Sequence, residues 1–581
     1  MRIPLRRYWQ LLYKYLWPQR VKVGLLALLM FGALGLQLLN PQIVRHFLDG
    51  AQGGAPLAQL VNLALLFLLA VVLREVVNGA GRYVGEDVGW TATNALRADL
   101  VKHCLRLDMS FHKSHAPGEL IERLDGDVNL LSNFFSQFAI GIISNLLLLC
   151  GVLAMLYRED WRLGLVLTAF TAIALLVLNY TRSLAVGKLT EARGMAGKFY
   201  GWLGEHLAGT EDIRANGAVG YAMHRLYTEL RDWLRIQTQA YRLHAWMRTS
   251  GSFVFLLGNG LAFGLGAWLF LRGSISLGTV YLITRYTDLL KEPITELRNQ
   301  LQDLQRATAS ISRIEGLFAE RSAVQDGPGV DLPEGALALQ FRNVQFAYED
   351  DQLVLRGVDF DLPAGQVLGL LGRTGSGKTT IGRLIARFYD PSRGEVLLSG
   401  MPAADAKLAD LRRRVGVVTQ EVQLFHGTVR DNLTFFRRGV EDGQILTVLQ
   451  ELGLGPWLRS LVDGLDAILP AGGAGLSAGE AQLLALARCF LANPSIIVLD
   501  EPSSRLDPVT EQKIERALDR LLCGRTAVII AHRLETINRA DRIVILEQGQ
   551  VLEQGERLQL ASDTGSRLYQ LLQAGIKEVL V

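Results

Sequence analysis

The sequence predicts a multidomain protein, an all-α bundle of six membrane-crossing helices followed by an α/β domain built around a phosphate-binding loop. Three observations predict it. Five uncharged apolar runs and a sixth broken by two charges fill the first half of the 581-residue chain. The gaps between these runs alternate short and long. In the second half, a glycine-rich stretch reads G-x-x-x-x-G-K-T, with a short apolar run before it and helical spacing after it.

Composition agrees. The apolar fraction is 49% and mean hydropathy is +0.21, high for a water-soluble enzyme. The 60 basic and 57 acidic side chains sum to +3, a balance that argues neither for a nucleic-acid nor for a polyacidic partner, and no nucleic acid is expected. Cys104, Cys150, Cys489 and Cys523 lie far apart without a C-x-x-C pair, so neither a disulfide framework nor a metal site is expected.

Residues 1–20 mix Arg2, Arg6, Arg7, Lys14 and Arg20 with Leu, Tyr and Trp, the pattern of a basic amphipathic helix lying in a membrane interface. The first apolar run follows it and is long enough to span, so no cleavable signal peptide is read here. Too few residues precede that run for a peptidase domain, and leader-peptide processing is not expected. The transmembrane domain covers residues 21–318, with runs at 23–44, 51–73, 128–157, 163–180 and 249–271. The sixth, 277–290, contains Arg285 and Asp288. These two charges lie three apart on one helix face, and a charge within a span faces protein or water rather than lipid. They are candidates for a substrate path or for an ion pair.

Gaps 45–50, 158–162 and 272–276 are short, whereas 74–127 and 181–248 are long and charged. The positive-inside rule then places the long gaps and both termini in the cytoplasm, for a protein of the plasma (inner) membrane. Each long gap reads as helices continuing the spans, with breaks at 115–118 and 215–217. Pro293 is expected to interrupt the helix after the sixth span. A Gly-, Pro-, Asp- and Ser-containing linker, 319–335, leads to a domain over 336–581.

That domain is the α/β P-loop nucleotide-binding domain. The loop comprises Gly372, Arg373, Thr374, Gly375, Ser376, Gly377, Lys378, Thr379 and Thr380. Glycines let backbone N–H groups close on an anion, and the following helix adds its N-terminal partial charge. Lys378 would reach the outer phosphates of ATP and Thr379 would bind Mg²⁺. Strands are expected at 337–346, 367–371, 394–398, 415–419, 495–499 and 526–531, alternating with helices as in a largely parallel sheet. Ligands bind at the carboxyl ends of such strands. Asp500 ends one of them and could hold the metal shell, with Glu501 beside it to polarise water. Gln420 could also ligate Mg²⁺. His532 follows another strand and is placed to contact the γ-phosphate, and Tyr348 offers a flat face to adenine.

These residues, in this order, resemble the ATP-binding cassette (ABC) transporters of the exporter type. In these half-transporters six membrane helices are fused to one nucleotide-binding domain. Leu476-Ser477-Ala478-Gly479-Glu480 is similar to the signature L-S-G-G-Q, and Ser504-Arg505-Leu506-Asp507 to the D-loop S-A-L-D. The resemblance makes Glu501 the catalytic glutamate, His532 the switch histidine, Gln420 the Q-loop glutamine and Tyr348 the adenine-stacking aromatic. It implies two cassettes closing on two ATP molecules, with Ser477, Ala478, Gly479, Glu480 and Asp507 serving the partner's site. The breaks near 117–118 and 215–216 are similar to the family's coupling helices. Ala478, Arg505, Ala471 and Leu483-Leu484 depart from the pattern, all on the signature half. The expectation is therefore a second ABC half-transporter as partner, in a heterodimer exporting an amphipathic, lipid-like, drug-like or peptide substrate. A homodimer, an importer on the same fold and an ATP-gated channel are the alternatives; the six spans exclude a soluble ATPase.

Overall fold

A computed structural model describes residues 13–133, 139–348, 352–437, 439–473, 475–500, 508–530 and 537–574. Two compact units form: Met1–Leu105 with Gly118–Ala319, and Arg106–Pro117 with Glu320–Val581.

The first unit is helical. Its long helices are α1 (Arg20–Gln52), α2 (Leu57–Cys104), α3 (Ala139–Glu159), α4 (Trp161–Ala208), α5 (Val219–Leu271) and α6 (Leu277–Ala319). Among the described residues, five helices are long and apolar enough to cross a membrane. At 1.5 Å per residue, the 48 residues of α4 reach ~72 Å, more than twice a ~30 Å hydrocarbon layer. α6 falls short in apolarity but packs on α1, α3 and α5. Its Leu282, Ile283, Tyr286, Leu290 and Ile294 join Leu156 of α3, Leu167 of α4 and Leu269 of α5 in one core.

Two expectations shift here. The first turn is not at 45–50: α1 continues to Gln52, and Gly53, left-handed Gly54 (φ 75°) and Pro56 make the turn. Arg45 and Asp49 stay helical because they are used. Arg45 pairs with Glu159 at 2.5 Å, and Asp49 accepts from Ser276 Oγ (2.8 Å) and Gly278 N (2.9 Å). Pro293 does not interrupt α6, which runs through it. Pro293 and Ile294 are buried, and packing there offsets the missing backbone hydrogen bond.

The second unit is layered. Strands β1 (Leu339–Ala347), β2 (Leu353–Leu362), β3 (Val367–Gly372), β4 (Arg393–Leu398), β5 (Met401–Pro402) and β6 (Val415–Val418) come first. Then follow β7 (Gly427–Thr428), β8 (Ile468–Leu469), β9 (Ile496–Asp500), β10 (Thr526–Ile530), β11 (Arg542–Glu547) and β12 (Gln550–Glu556). Six strands form one sheet, ordered β12-β11-β3-β10-β9-β6, parallel except for β12. The strands at 337–346 and 394–398 do not belong to it. They make a separate antiparallel sheet, β2-β1-β4-β5, whose buried Phe341, Phe360 and Val396 pack with Leu368 and Leu370 in a shared core. Helices cover the other face of the parallel sheet, around Leu483, Leu486, Ile497 and Ile529. The segment 320–330 is pinned to this unit: Gly329 N and Val330 N donate to Asp405 O at 3.0 and 3.1 Å, and Leu408 N to Asp326 Oδ1 at 2.7 Å.

Candidate functional site

β3 is buried along its whole length and delivers the chain into the loop at Gly372, before helix α7 (Lys378–Ile385). Gly372 (φ 145°) and Gly377 (φ 105°) are in conformations that L side chains rarely adopt. A Cβ at Gly372 would stand 2.2 Å from Leu546 O and 2.7 Å from Ser376 Oγ, so β11 closes the loop from behind. Lys378 Nζ folds back over the loop and donates to Gly372 O (2.6 Å) and Arg373 O (3.0 Å). Ser376 Oγ is buried and has no hydrogen-bond partner among the described residues. A buried hydroxyl beside a folded-back ammonium suits an anion entering the loop. Arg373, Thr374 and Gly375 are exposed at its mouth.

The two threonines divide. Thr379 is exposed. Thr380 is buried, with its hydroxyl 3.1 Å from Tyr348 Oη, which also accepts from Arg383 Nη1 at 2.9 Å. Thr380 therefore positions the aromatic, and of the two only Thr379 is exposed. Tyr348 packs edge-on against Phe346 and Tyr389, and Lys113 Nζ lies 4.5 Å from its ring centre.

Strand register assembles the acidic side. Asp500 on β9 is level with Ile530 on β10, which is level with Leu370 on β3, two residues before Gly372. The carboxyl ends of β3, β10 and β9 thus share one edge. Glu501, His532 and Asp507 lie outside the described residues. Gln420 is exposed two residues beyond β6, itself paired in parallel with β9. Among the described residues no cluster of three His, Cys, Asp or Glu could hold a metal alone. Mg²⁺ needs no such cluster, since one carboxylate, a hydroxyl, phosphates and water complete its shell. Asp500, Thr379 and Gln420 fit that chemistry.

The signature opens helix α8 (Ala478–Ala492) with Ser477 as N-cap. Ser477 Oγ accepts from Glu480 N (3.2 Å), while Glu480 Oε2 accepts from Ser477 N (2.8 Å) and Ser477 Oγ (2.9 Å). This reciprocal box places a carboxylate on the helix N-terminus. Ala478 and Gly479 form the first turn.

Two side chains that no motif contains, Arg488 and Asp108, also hold this unit together. Arg488 of α8 donates from Nε to Asn432 O (2.7 Å) and from both terminal nitrogens to Gln423 O (3.1 Å each). It ties the signature helix to the segment that follows Gln420. Burial pushes its pKa down to about 10. Its signal in the sequence was a lone cation within Leu483–Leu491's otherwise apolar run. The second lies in Arg106–Pro117, the tip of the first long gap. Asp108 caps the helix Met109–Ser114 through Ser110 N (2.9 Å) and Phe111 N (3.3 Å). It also accepts from Ser322 Oγ (3.2 Å) and from Ala323 N. The resemblance places a coupling helix at the break near 117–118, and Arg106–Pro117 does belong to the cassette's unit; Asp108 as the tie is not legible in the sequence.

In the helical unit, Arg285 Nη1 lies 3.5 Å from Asp288 Oδ2, and Asn259 Nδ2 of α5 donates to Asp288 Oδ1 at 2.7 Å. The two expected residues are thus an ion pair on one face, with side chains about half exposed.

Residues 23–293 match the ABC transporter transmembrane region, and residues 355–504 match the ABC transporter family. The ABC transporter ATP-binding protein YfiC of Bacillus subtilis (strain 168) is 30% identical over 97% of this chain and 94% of its own length. An ATP-dependent lipid A-core flippase of Syntrophus aciditrophicus (strain SB) is 30% identical over 88% of this chain and 85% of its own. A solved structure of a bacterial Atm1-family ABC exporter with ATP bound superposes with a TM-score of 0.80 at 24% identity, covering 96% of this chain and 98% of that one. It shares the fold. With membrane region and cassette both matched in one polypeptide, this integral membrane protein belongs to the ABC transporters, as an exporter-type half-transporter that binds ATP through its cassette.

Proposed function

We propose that this chain is one half of a heterodimeric ATPase that exports amphipathic substrates by alternating access, with its cassette and termini on the cytoplasmic side of the plasma (inner) membrane. Its own catalytic half carries every group the chemistry asks for. The loop N–H groups and Lys378 hold the outer phosphates, and Tyr348 stacks on the base. Thr379, Asp500 and Gln420 would hold Mg²⁺, which offsets phosphate charge when bound. Glu501 polarises the attacking water and His532 contacts the γ-phosphate. The shared edge of β3, β10 and β9 supports this assignment. Glu501→Gln is expected to lower hydrolysis at this site by roughly 10²-fold, the range for lost general-base help, while ATP still binds. A site-resolved turnover equal to wild type would remove that role.

The observation that carries the heterodimer is the first turn of α8. A signature half serves the opposite site by presenting a helix N-terminus to its γ-phosphate. Here Glu480's carboxylate already caps that terminus, and Ala478 adds a methyl where backbone must approach phosphate closely. Both changes weaken the site this chain gives its partner while leaving its own intact. The similarity to a protein named as a lipid A-core flippase supports an amphipathic cargo. Expressing the chain alone tests the pairing: weak assembly and low ATPase activity, restored by a second half, are expected. A stable homodimer with two equally active sites and full transport refutes it.

A further inference from the structure

We propose that the exposed face of α6 binds the headgroup of a zwitterionic amphiphile, an ammonium paired with a phosphate; this rests on the exporter reading above. At 100° per residue, Tyr281, Thr284, Arg285, Asp288, Lys291, Glu292 and Thr295 fall within an arc of about 120°. Every one of them is polar. The opposite side, Leu282, Ile283, Tyr286, Leu290 and Ile294, is fully buried in the bundle core, so α6 cannot turn its polar face inward.

Depth makes this face unusual. The outer end of α6 is set by Asp49, which holds Ser276 and Gly278. Counting from Leu277, Arg285 lies ~12 Å and Glu292 ~22 Å along the helix, inside a ~30 Å hydrocarbon layer. Four charges at that depth do not face lipid; they face water or a ligand. The threonines have no capacity to spare as donors, because Thr284 and Thr295 donate to the backbone of Tyr281 and Lys291, each at 2.8 Å. The charges carry the recognition.

Their signs choose the ligand. Arg285 and Lys291 balance Asp288 and Glu292, and the signs are interleaved along the axis. Amides from two other helices hold the carboxylates. Asn259 Nδ2 donates to Asp288 at 2.7 Å, and Gln37 Nε2 of α1 donates to Glu292 at 3.2 Å. A purely anionic headgroup would meet both carboxylates, and an uncharged one would leave four charges desolvated without exchange. A zwitterion places its phosphate at Arg285 or Lys291 and its ammonium at Asp288 or Glu292.

The test uses the purified transporter, with its partner half where assembly needs one, titrated with dihexanoyl phosphatidylethanolamine, dihexanoyl phosphatidylglycerol and octyl glucoside. ATPase stimulation and thermal stabilisation are read together. The ethanolamine lipid is expected to half-saturate at the lowest concentration. Arg285→Gln and Glu292→Gln should each raise that concentration roughly tenfold, the loss of one charged contact. Glu292→Gln should at the same time strengthen the glycerol lipid. Equal responses to all three ligands, or variants that shift all three equally, overturn the proposal. So does dissociation of the assembled pair on Arg285→Gln, which would mean that the other half fills this face. Hydrolysis no greater than that of Glu501→Gln would instead sink the exporter reading, and thermal stabilisation, which needs no hydrolysis, still scores the headgroup.

Discussion

Replacing Arg488 should uncouple the signature helix from the segment after Gln420. The guanidinium serves two backbone carbonyls, Asn432 O at 2.7 Å and Gln423 O through two nitrogens at 3.1 Å, and lies 4.5 Å from the Phe435 ring. A hydrogen bond from a charged donor contributes about 1.5–3 kcal/mol, so two acceptors give about 3–6 kcal/mol before desolvation. The burial that pushes the Arg488 pKa down to about 10 takes part of this back. Arg488→Ala is therefore expected to cost about 2–4 kcal/mol, lowering the apparent Tm of a cassette of this size by roughly 5–10 °C. Arg488→Lys keeps the charge but not the planar fork, and should recover about half. Amide exchange around Trp457, which packs in the same core, reports cassette unfolding in the full-length protein. A loosened Gln423 should also lower kcat for ATP more than it raises KM, because the P-loop itself is untouched. If Arg488→Ala melts within 1 °C of wild type and hydrolyses ATP at the wild-type rate, the carbonyl clamp is not holding this surface together.

Three further outcomes follow from the same geometry. Gly372→Ala should abolish nucleotide binding, measured with a fluorescent ATP analogue, because its Cβ would stand 2.2 Å from Leu546 O; wild-type affinity would show that β11 can move away. Burial would raise the Asp108 pKa, but donors from Ala323, Phe111, Ser110 and Ser322 outweigh it and hold the carboxyl below its ordinary 3.8. A depressed pKa stabilises above the unfolded value and ceases to as pH falls through the folded one. The Asp108 contacts should thus hold at neutral pH and weaken on acidification below about pH 4. Asp108→Asn should mimic that loss at pH 7, seen as faster amide exchange at Ser110 and Ala323; unchanged exchange would contradict it. Cys489 is buried, and burial pushes its thiol up to about 11, whereas Cys523 is exposed. N-Ethylmaleimide at pH 7 should label Cys523 and spare Cys489 until the cassette unfolds, and equal labelling rates would show that the core around Cys489 opens in the native state.

Local pattern carried much of this protein. Strand, glycine loop and helix around Lys378 were legible because a P-loop is a contiguous motif whose chemistry depends on spacing. β6, β9 and β10 were legible as apolar runs, and Asp500 as the acid ending one of them. The long helices could be read from runs of apolar residues. Turn positions and helix continuity were read less well, since Pro293 and the 45–50 stretch look like breaks until their packing partners are known. Gly53 to Pro56 makes the turn because Asp49 is engaged by Ser276 and Gly278, more than two hundred residues away.

By itself the sequence determined the two-part architecture and the family, and it named the candidate nucleotide-handling residues, because periodicity and motif spacing are properties of neighbouring positions. Only the tertiary structure decided which groups those residues meet. It placed β1 and β4 in a separate antiparallel sheet, turned Thr380 toward Tyr348 and left Thr379 exposed. It brought Arg106–Pro117 into the cassette unit through Asp108 and set Arg488 across Gln423 and Asn432. Each depends on strand register or on donors distant in the chain, and a hydrogen bond between distant residues leaves no spacing in the sequence from which it could be read.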